Sequence, residues 1–459
     1  MITVFINRRI LSMLLLTALS WQPASAQGNL LQEYIDSALN NNLVVQQKNV
    51  SLEKAQTALS IAKGWYYPTV SFQAGYQTAG GGRSINLPLG DLLNGVYSTL
   101  NQLTSSSMFP QLKNQEVNFL PSNFYDVKVR TTVPIINPDI RYNKEIATQQ
   151  IQLSDYELEI YRRDLVQQVK TAYFQYLSSL RAVEIYKAAL ELAQESRRVN
   201  QKLLDNGKGL PAYVLRADSE MEQVKAQVAA AEQQVRNAQL YFNFLLNRDA
   251  ASVIESNYDE RSAITQVQDQ LRQQPESGMR EELKAMGQVV SIRQTMVKMN
   301  KSVYQPRLSG FLDLGSQAEN FAFNDQSRYY MAGLQLEIPL FAGYRNRNKI
   351  RNASLDLQAA ELDLTNTRLQ LQLAAQVATN NLLAAWQTYD ASNRQLDAAA
   401  TYQRLIERGY REGTNSFIET VDARNQYTQA QLLQAVNRYK VMIAAADLER
   451  QTASYSLKK

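Results

Sequence analysis

Two side chains central to enzyme and metal chemistry are missing from this 459-residue chain, which contains no cysteine and no histidine. Without cysteine there can be no disulfide framework, no thiolate metal site and no acylated N-terminal cysteine. Without histidine, Ser-His-Asp triads, Cys-His dyads and His-rich zinc sites are excluded. Both absences argue against an enzyme, and no cofactor or metal site is expected. Past the N-terminal leader there is no apolar run of the ~18 residues that a membrane-crossing helix needs. No basic block stands out either, so nucleic acid is not an expected partner.

What is present begins with that leader. Arg8 and Arg9 form a basic patch, Ile10 to Leu19 an apolar run, and Ala24-Ser25-Ala26 a small-residue cleavage site. This is the pattern of a secretory signal peptide over residues 1–26. The apolar run is too short to span a bilayer as a membrane anchor. Removing it takes away two arginines and no acids, so the formal charge falls from +5 to +3.

The remainder repeats itself. Tyr66–Phe72 (YYPTVSF) returns as Tyr304–Phe311 (YQPRLSGF), and Val127–Lys144 returns as Gly333–Lys349. The glycine turn NGKGLPAYVLRAD (206–218) returns as YREGTNSFIETVD (410–422), which aligns Gly209 with Gly413 and Asp218 with Asp422. Residues 27–247 and 281–459 therefore each read as helix, two strands, very long helix, glycine turn and helix. Between them, 248–280 reads as an irregular linker interrupted by Pro275, with a partner surface as the alternative. Pro68 and Pro134 are about twice as far apart as Pro306 and Pro339, and the extra residues, 79–121, read as a long surface loop.

Four segments alternate with period two, a β pattern. Val70, Phe72, Ala74 and Tyr76 share one face; so do Val127, Val129, Thr131, Val133 and Ile135; Leu308, Gly310, Leu312 and Leu314; and Tyr330, Ala332, Leu334, Leu336, Ile338 and Leu340. Each is about the length of a tilted membrane strand. Aromatic residues at their ends, among them Trp65, Tyr66, Tyr67, Phe124, Tyr125, Tyr329, Phe341 and Tyr344, suit the interfacial girdles of an outer-membrane barrel. A soluble, half-buried sheet alternates in the same way. The long segments carry seams at coiled-coil spacing, namely Met221, Val224, Val228, Ala231, Val235, Ala238 and Phe242, and Leu357, Ala360, Leu364, Thr367, Leu371, Ala374 and Ala378. A run without internal Pro or Gly from Asn137 to Asn206 would be a helix of roughly 100 Å.

Four strands cannot close a membrane barrel, whose minimum is about eight, and an open sheet edge in lipid is prohibitively costly. Membrane insertion would thus require several chains in one closed ring. Over essentially the whole mature chain the sequence resembles the TolC-type outer membrane efflux protein family. The resemblance rests on ALNNNLVVQQKNVSLEKAQTALSIAKGWYYPTVS, the paired V-P-I and I-P-L strand ends, RQQPESGMREELKAM, and the glycine turn followed by FIETVDA. It implies a mostly helical α+β fold: duplicated coiled-coil hairpins forming an α-barrel, and four strands per chain in a shared twelve-stranded β-barrel of a homotrimer. It further implies a passive exit duct in a tripartite efflux or type I secretion system. Its partners would be a periplasmic adaptor, an inner-membrane pump and outer-membrane lipid, and it would sit in the outer membrane of a Gram-negative bacterium and reach into the periplasm. The alternative is a periplasmic coiled-coil scaffold or adaptor without a membrane barrel.

Glu419 and Asp422 lie three apart after the second glycine turn. A glycosidase-like carboxylate pair needs a cleft that a regular helix does not offer. Two carboxylates alone make a weak metal site. Acids in a first helical turn are favoured by the helix dipole within a single chain. In a three-fold ring the same two residues would become six carboxylates at one end of a tube. The resemblance makes Glu419 and Asp422 an acidic aperture ring and Tyr410 a gate tyrosine, with Asn415 where the family carries a basic partner. It also makes the tips 206–211 and 412–415, with Gly207, Gly209, Leu210, Gly413 and Thr414, adaptor-docking turns.

Overall fold

The computed structural model describes residues 30–272 and 280–457; the expected signal peptide and Pro275 lie outside the described residues. The elements in chain order are α1 (Leu30–Asn41), α2 (Leu43–Gly64), β1 (Thr69–Gln77), β2 (Ser84–Leu87), α3 (Leu89–Thr104), β3 (Gln115–Asn118) and β4 (Phe124–Ile136). Then come α4 (Pro138–Asp205), α5 (Pro211–Leu245), α6 (Glu260–Arg272), α7 (Glu281–Lys301), a short 3-10 turn (Ser302–Tyr304), β5 (Arg307–Glu319), β6 (Arg328–Glu337), α8 (Arg345–Arg411) and α9 (Phe417–Thr452). The chain is mostly helical, and α4 and α8 run 68 and 67 residues. Among the described residues two compact units form, and each draws on both halves of the sequence: 30–53, 152–272, 280–289 and 361–457 in one, 54–151 and 290–360 in the other.

In the second unit, the four alternating segments form one antiparallel sheet in the order β1-β4-β5-β6. The register puts like with like. Phe72, Val129, Leu314 and Tyr330 stand opposite one another across all four strands, and so do Val70, Thr131, Leu312 and Ala332. This apolar face is open, with Phe72 70 % and Tyr330 78 % exposed. The other face is polar and tied by ions. Arg130 donates from Nε and Nη2 to the two carboxylate oxygens of Asp313 at 2.7 and 2.6 Å. Beside that pair, Asp126 accepts from Lys128 at 2.6 Å and from the Tyr329 hydroxyl at 2.8 Å. Ile338 and Leu340, expected in the fourth strand, lie beyond the end of β6. Pro339 between them has no N–H to give a ladder.

The segment expected as a loop is itself folded. β2 pairs with β3 and α3 lies between them. The strands leave the sheet on the side opposite the helices: β1 and β4 carry this module at one end and join α2 and α4 at the other.

The first unit is built on helix seams. Every residue of the two heptad rows that falls in this unit is buried or half-buried, with Val224, Ala231, Phe242 and Ala378 fully so; Leu357 and Ala360, in the second unit, are half-buried and buried. Around Tyr173 and Phe242, both with no exposed surface, pack Tyr34, Ile35, Leu165, Val169 and Leu246. The Tyr34 and Phe242 rings meet edge-on at 5.1 Å, a geometry aromatic quadrupoles favour. The stretch between the halves is less irregular than its weak periodicity suggests, because α6 forms there. Ile264, Val267 and Leu271 step by three and four along one face and pack against Leu382 and Val441.

A second seam on α8 stays exposed among the described residues. Leu355, Leu362 and Leu369 recur every seven residues and are 51 %, 64 % and 60 % exposed.

If the Arg130–Asp313 pair organises the polar face, Asp313→Ala should lower the thermal midpoint of the sheet, read by β-sheet circular dichroism. The reversed pair Arg130→Asp with Asp313→Arg should recover most of the loss. An unchanged midpoint in the single variant contradicts this role.

Candidate functional site

The two glycine turns close in the same way. α4 ends with Lys208 N–H donating to Leu203 O and Gly207 N–H to Leu204 O, both 2.9 Å. α8 ends with Thr414 N–H to Gly409 O at 2.8 Å and Gly413 N–H to Tyr410 O at 3.1 Å. This is the Schellman termination, which requires a left-handed residue after the helix. Gly207 (φ 69°) and Gly413 (φ 78°) supply it. The structural counterpart of Gly413 is therefore Gly207 rather than Gly209, which corrects the sequence alignment by two residues. The next helix starts four residues after each turn glycine, at Pro211 and at Phe417. Repetition alone could not fix this because the first turn carries two glycines. Leu210, the residue before α5, is 55 % exposed, and the Thr414 hydroxyl donates back to Gly409 O at 3.0 Å.

α9 starts with a capping box. Ser416 Oγ accepts from Glu419 N–H at 3.3 Å, and Glu419 Oε2 accepts from Ser416 N–H at 2.6 Å. This satisfies two of the amide donors a helix start leaves free. Three hydrogen bonds hold the Glu419 carboxyl below the ordinary carboxylate range: first the Ser416 amide, then the Ser416 hydroxyl, then the Asn415 side-chain amide. Asn415, unexplained as a departure from the family pattern, has a place here. Its N–H donates to Gly409 O at 3.2 Å and its side chain reaches Glu419 Oε2 at 3.4 Å. Asp422 is exposed one turn on and accepts from Gln426 at 3.0 Å. The two acids thus share one exposed helix start, but they do not share a ligand.

Tyr410 belongs to a small aromatic lock. Phe417, 2 % exposed, sits between the rings of Tyr213 (5.3 Å) and Tyr410 (6.4 Å), over Ala217 and Val421. This cluster joins α5 to the α8–α9 turn.

One turn further along, Arg424 Nε donates to Glu407 Oε1 at 3.2 Å, and Gln403 donates to the same oxygen at 3.1 Å. Glu220 on α5 is buried, and its Oε2 has no hydrogen-bond partner. Burial pushes its carboxyl up, against the pull of Arg424 and Arg216. Sequence reasoning missed Glu220, although its place in the buried row Ala217, Glu220, Val224 marks an acid on an apolar face.

A second cluster escaped the sequence reading entirely. Arg450 bridges Asp164 (2.5 Å) and Glu282 (2.6 Å), while Arg280 also binds Glu282 at 2.7 Å. Arg163 pairs with Glu281 at 2.7 Å and donates to Tyr455 O at 2.6 Å. The middle of α4, the start of the second half and the C-terminus are locked together by these ions. Burial works to raise the Glu282 carboxyl, but the hydrogen bonds from Arg280 and Arg450 outweigh it and hold it at about 2.

An amphipathic four-stranded sheet continued by helices of nearly seventy residues defines a class, the subunits of outer-membrane channels. The chain belongs to the outer membrane efflux protein family, whose sequence profile matches residues 34–248 and 277–454. It is similar to Protein CyaE of Bordetella pertussis, 24 % identical over 432 residues that cover 90 % of this chain and 82 % of that protein. Its fold matches the CmeC outer membrane channel of Campylobacter jejuni with a TM-score of 0.71 at 15 % identity, over 92 % of this chain and 85 % of that one. It also matches the outer membrane protein VceC of Vibrio cholerae with a TM-score of 0.71 at 14 % identity, over 92 % and 95 %. Family and fold are those of channel proteins rather than enzymes.

Because Glu282 titrates below its ordinary value of 4.5, its contribution to stability is complete above about 4.5 and fades as pH falls toward about 2. Glu282→Gln should cost on the order of 3 kcal/mol at neutral pH and flatten the acid limb of a pH–stability curve. An acid limb identical to that of the unsubstituted protein would rule this out.

Proposed function

We propose that this chain is one third of a homotrimeric outer-membrane channel, a passive duct through which an inner-membrane pump, coupled by a periplasmic adaptor, expels its cargo. The observation that carries this reading is the sheet with both edges open. β1 pairs only with β4 and β6 only with β5 among the described residues, and one broad face is apolar and exposed. Lipid tolerates no unpaired backbone edge, so the β6 edge of one copy must meet the β1 edge of the next. The apolar face then looks to lipid and the Arg130–Asp313 face to water, as in other barrels of this kind. The unpartnered leucine seam of α8 supports the same association at the level of the helices.

On this reading Glu419 and Asp422 of three copies ring the periplasmic aperture. The aromatic lock of Tyr410, Phe417 and Tyr213, with the Glu407–Arg424 pair, holds the turns closed. The tips with Gly207, Gly209, Leu210, Gly413 and Thr414 form the docking surface for the adaptor. Glu419 serves both as a helix cap and as a ring charge, since the capping bonds leave its charge in place.

Fractionation tests the assembly. The protein should appear in outer membranes as a trimer that resists detergent until heated; a soluble periplasmic monomer would instead support a coiled-coil scaffold. For the ring, replacing Glu419 and Asp422 by Ala should weaken block by polyvalent cations in planar bilayers. A folded carboxyl held low stays charged to lower pH, so block should persist into mild acid. Ser416→Ala, which removes the hydroxyl bond and leaves the amide bonds from residues 416 and 415 in place, should move the loss of block modestly to higher pH. Block that ignores all three substitutions refutes the ring.

A further inference from the structure

The module between β1 and β4 has its apolar side facing outward. α3 is fastened to the returning chain by side-chain amides. Asn94 bonds both the N–H and the O of Leu112 (2.7 and 2.9 Å), and Asn101 does the same to Phe109 (3.1 and 2.8 Å). Asn114 Oδ1 accepts from Gly90 N–H at 3.0 Å. The contact there is so close that a Cβ on residue 90 would lie 2.5 Å from Leu112 O. With its polar side occupied, the helix exposes Leu89 (37 %), Leu92 (67 %), Val96 (55 %) and Leu103 (77 %). Their spacing of three, four and seven puts them on one stripe. Such a stripe on a rigidly fastened helix calls for a cover.

We propose that the cover is the same stripe of the other two copies. In the trimer, three α3 helices pack against one another across the outer mouth of the barrel and form its lid. This rests on the trimeric reading above. Three observations select this occupant. First, the module grows from β1, the edge strand that meets the next copy, so it stands beside the subunit seam. Second, residues 84–112 carry a single charge, Asp91, and no Lys or Arg. Helices that lie on membranes depend on Lys and Arg along their polar face, whereas three nearly neutral helices can approach without repulsion. Third, the sizes agree. Twelve strands about 4.8 Å apart and tilted by about 40° close a barrel roughly 24 Å across. Three helices at interaxial distances of about 8–10 Å fill such an opening.

The chain has no cysteine of its own, which makes the test direct. Leu92→Cys, Val96→Cys or Leu103→Cys is placed singly in the full-length protein in outer membranes and oxidised. Disulfide-linked dimers are expected from at least one stripe position and none from Ser98→Cys, on the side that faces the returning chain. With the Glu407–Arg424 pair broken by Arg424→Ala to open the periplasmic end, the triple variant Leu92→Asp, Val96→Asp, Leu103→Asp should raise single-channel conductance at least two-fold over Arg424→Ala alone. An intact unheated trimer band with no stripe disulfide and unaltered conductance overturns the lid while leaving the channel reading standing. Quenching of a fluorophore at position 96 by bromolipid in vesicles would also overturn it, in favour of membrane contact. If the unsubstituted protein gives no trimer band, the channel reading falls and the lid with it.

Discussion

Backbone amides and carbonyls on the outer edges of β1 and β6 face no other strand among the described residues, and this shortfall governs the rest of the molecule. In water such edges would be solvated; beside the apolar row Phe72, Val129, Leu314 and Tyr330 they sit next to a surface made for lipid. No rearrangement of four strands resolves that conflict, because closure needs more strands than one chain has. The polar face follows from the same constraint. In the proposed barrel its Arg130–Asp313 and Lys128–Asp126 pairs would line the watery interior.

The helical unit answers a different problem, how to keep very long helices in register. Alanine-rich seams give shallow packing spread over many turns. Specificity therefore falls to a few buried polar and aromatic nodes. The Arg450–Glu282–Asp164 cluster with its neighbours, and the aromatic core at Tyr173 and Phe242, fix the middle. Phe417 between Tyr213 and Tyr410 fixes the turns. A buried ion cluster adds little net stability over an apolar one, but removing one partner is costly. That asymmetry suits a lock that must hold one register.

Much of this was legible in the sequence because it repeats with a fixed period. Strand alternation placed the four main strands, and heptad spacing placed both seams. What stayed hidden depends on partners far apart in the chain. Arg450 meets Asp164 and Glu282 across more than a hundred residues, and no local pattern announces it. α3 was hidden because short polar residues and glycines read as loop, while asparagine amides in fact clip the segment into a fold. The turn alignment slipped because Gly207 and Gly209 are equally glycine in sequence, and only the left-handed backbone of Gly207 tells them apart. Of the candidate site, the acidic pair could be found from spacing, and Ser416 three residues before Glu419 is a capping-box signature that sequence also carries, but the Asn415 bond to Glu419 is visible only in three dimensions.

Electron cryomicroscopy of the full-length protein in lipid nanodiscs tests the central claim most directly. The account predicts a three-fold ring in which β6 of each copy is hydrogen-bonded to β1 of the next, closing a twelve-stranded barrel. A monomer, or a ring in which those two edges remain unpaired, would contradict it.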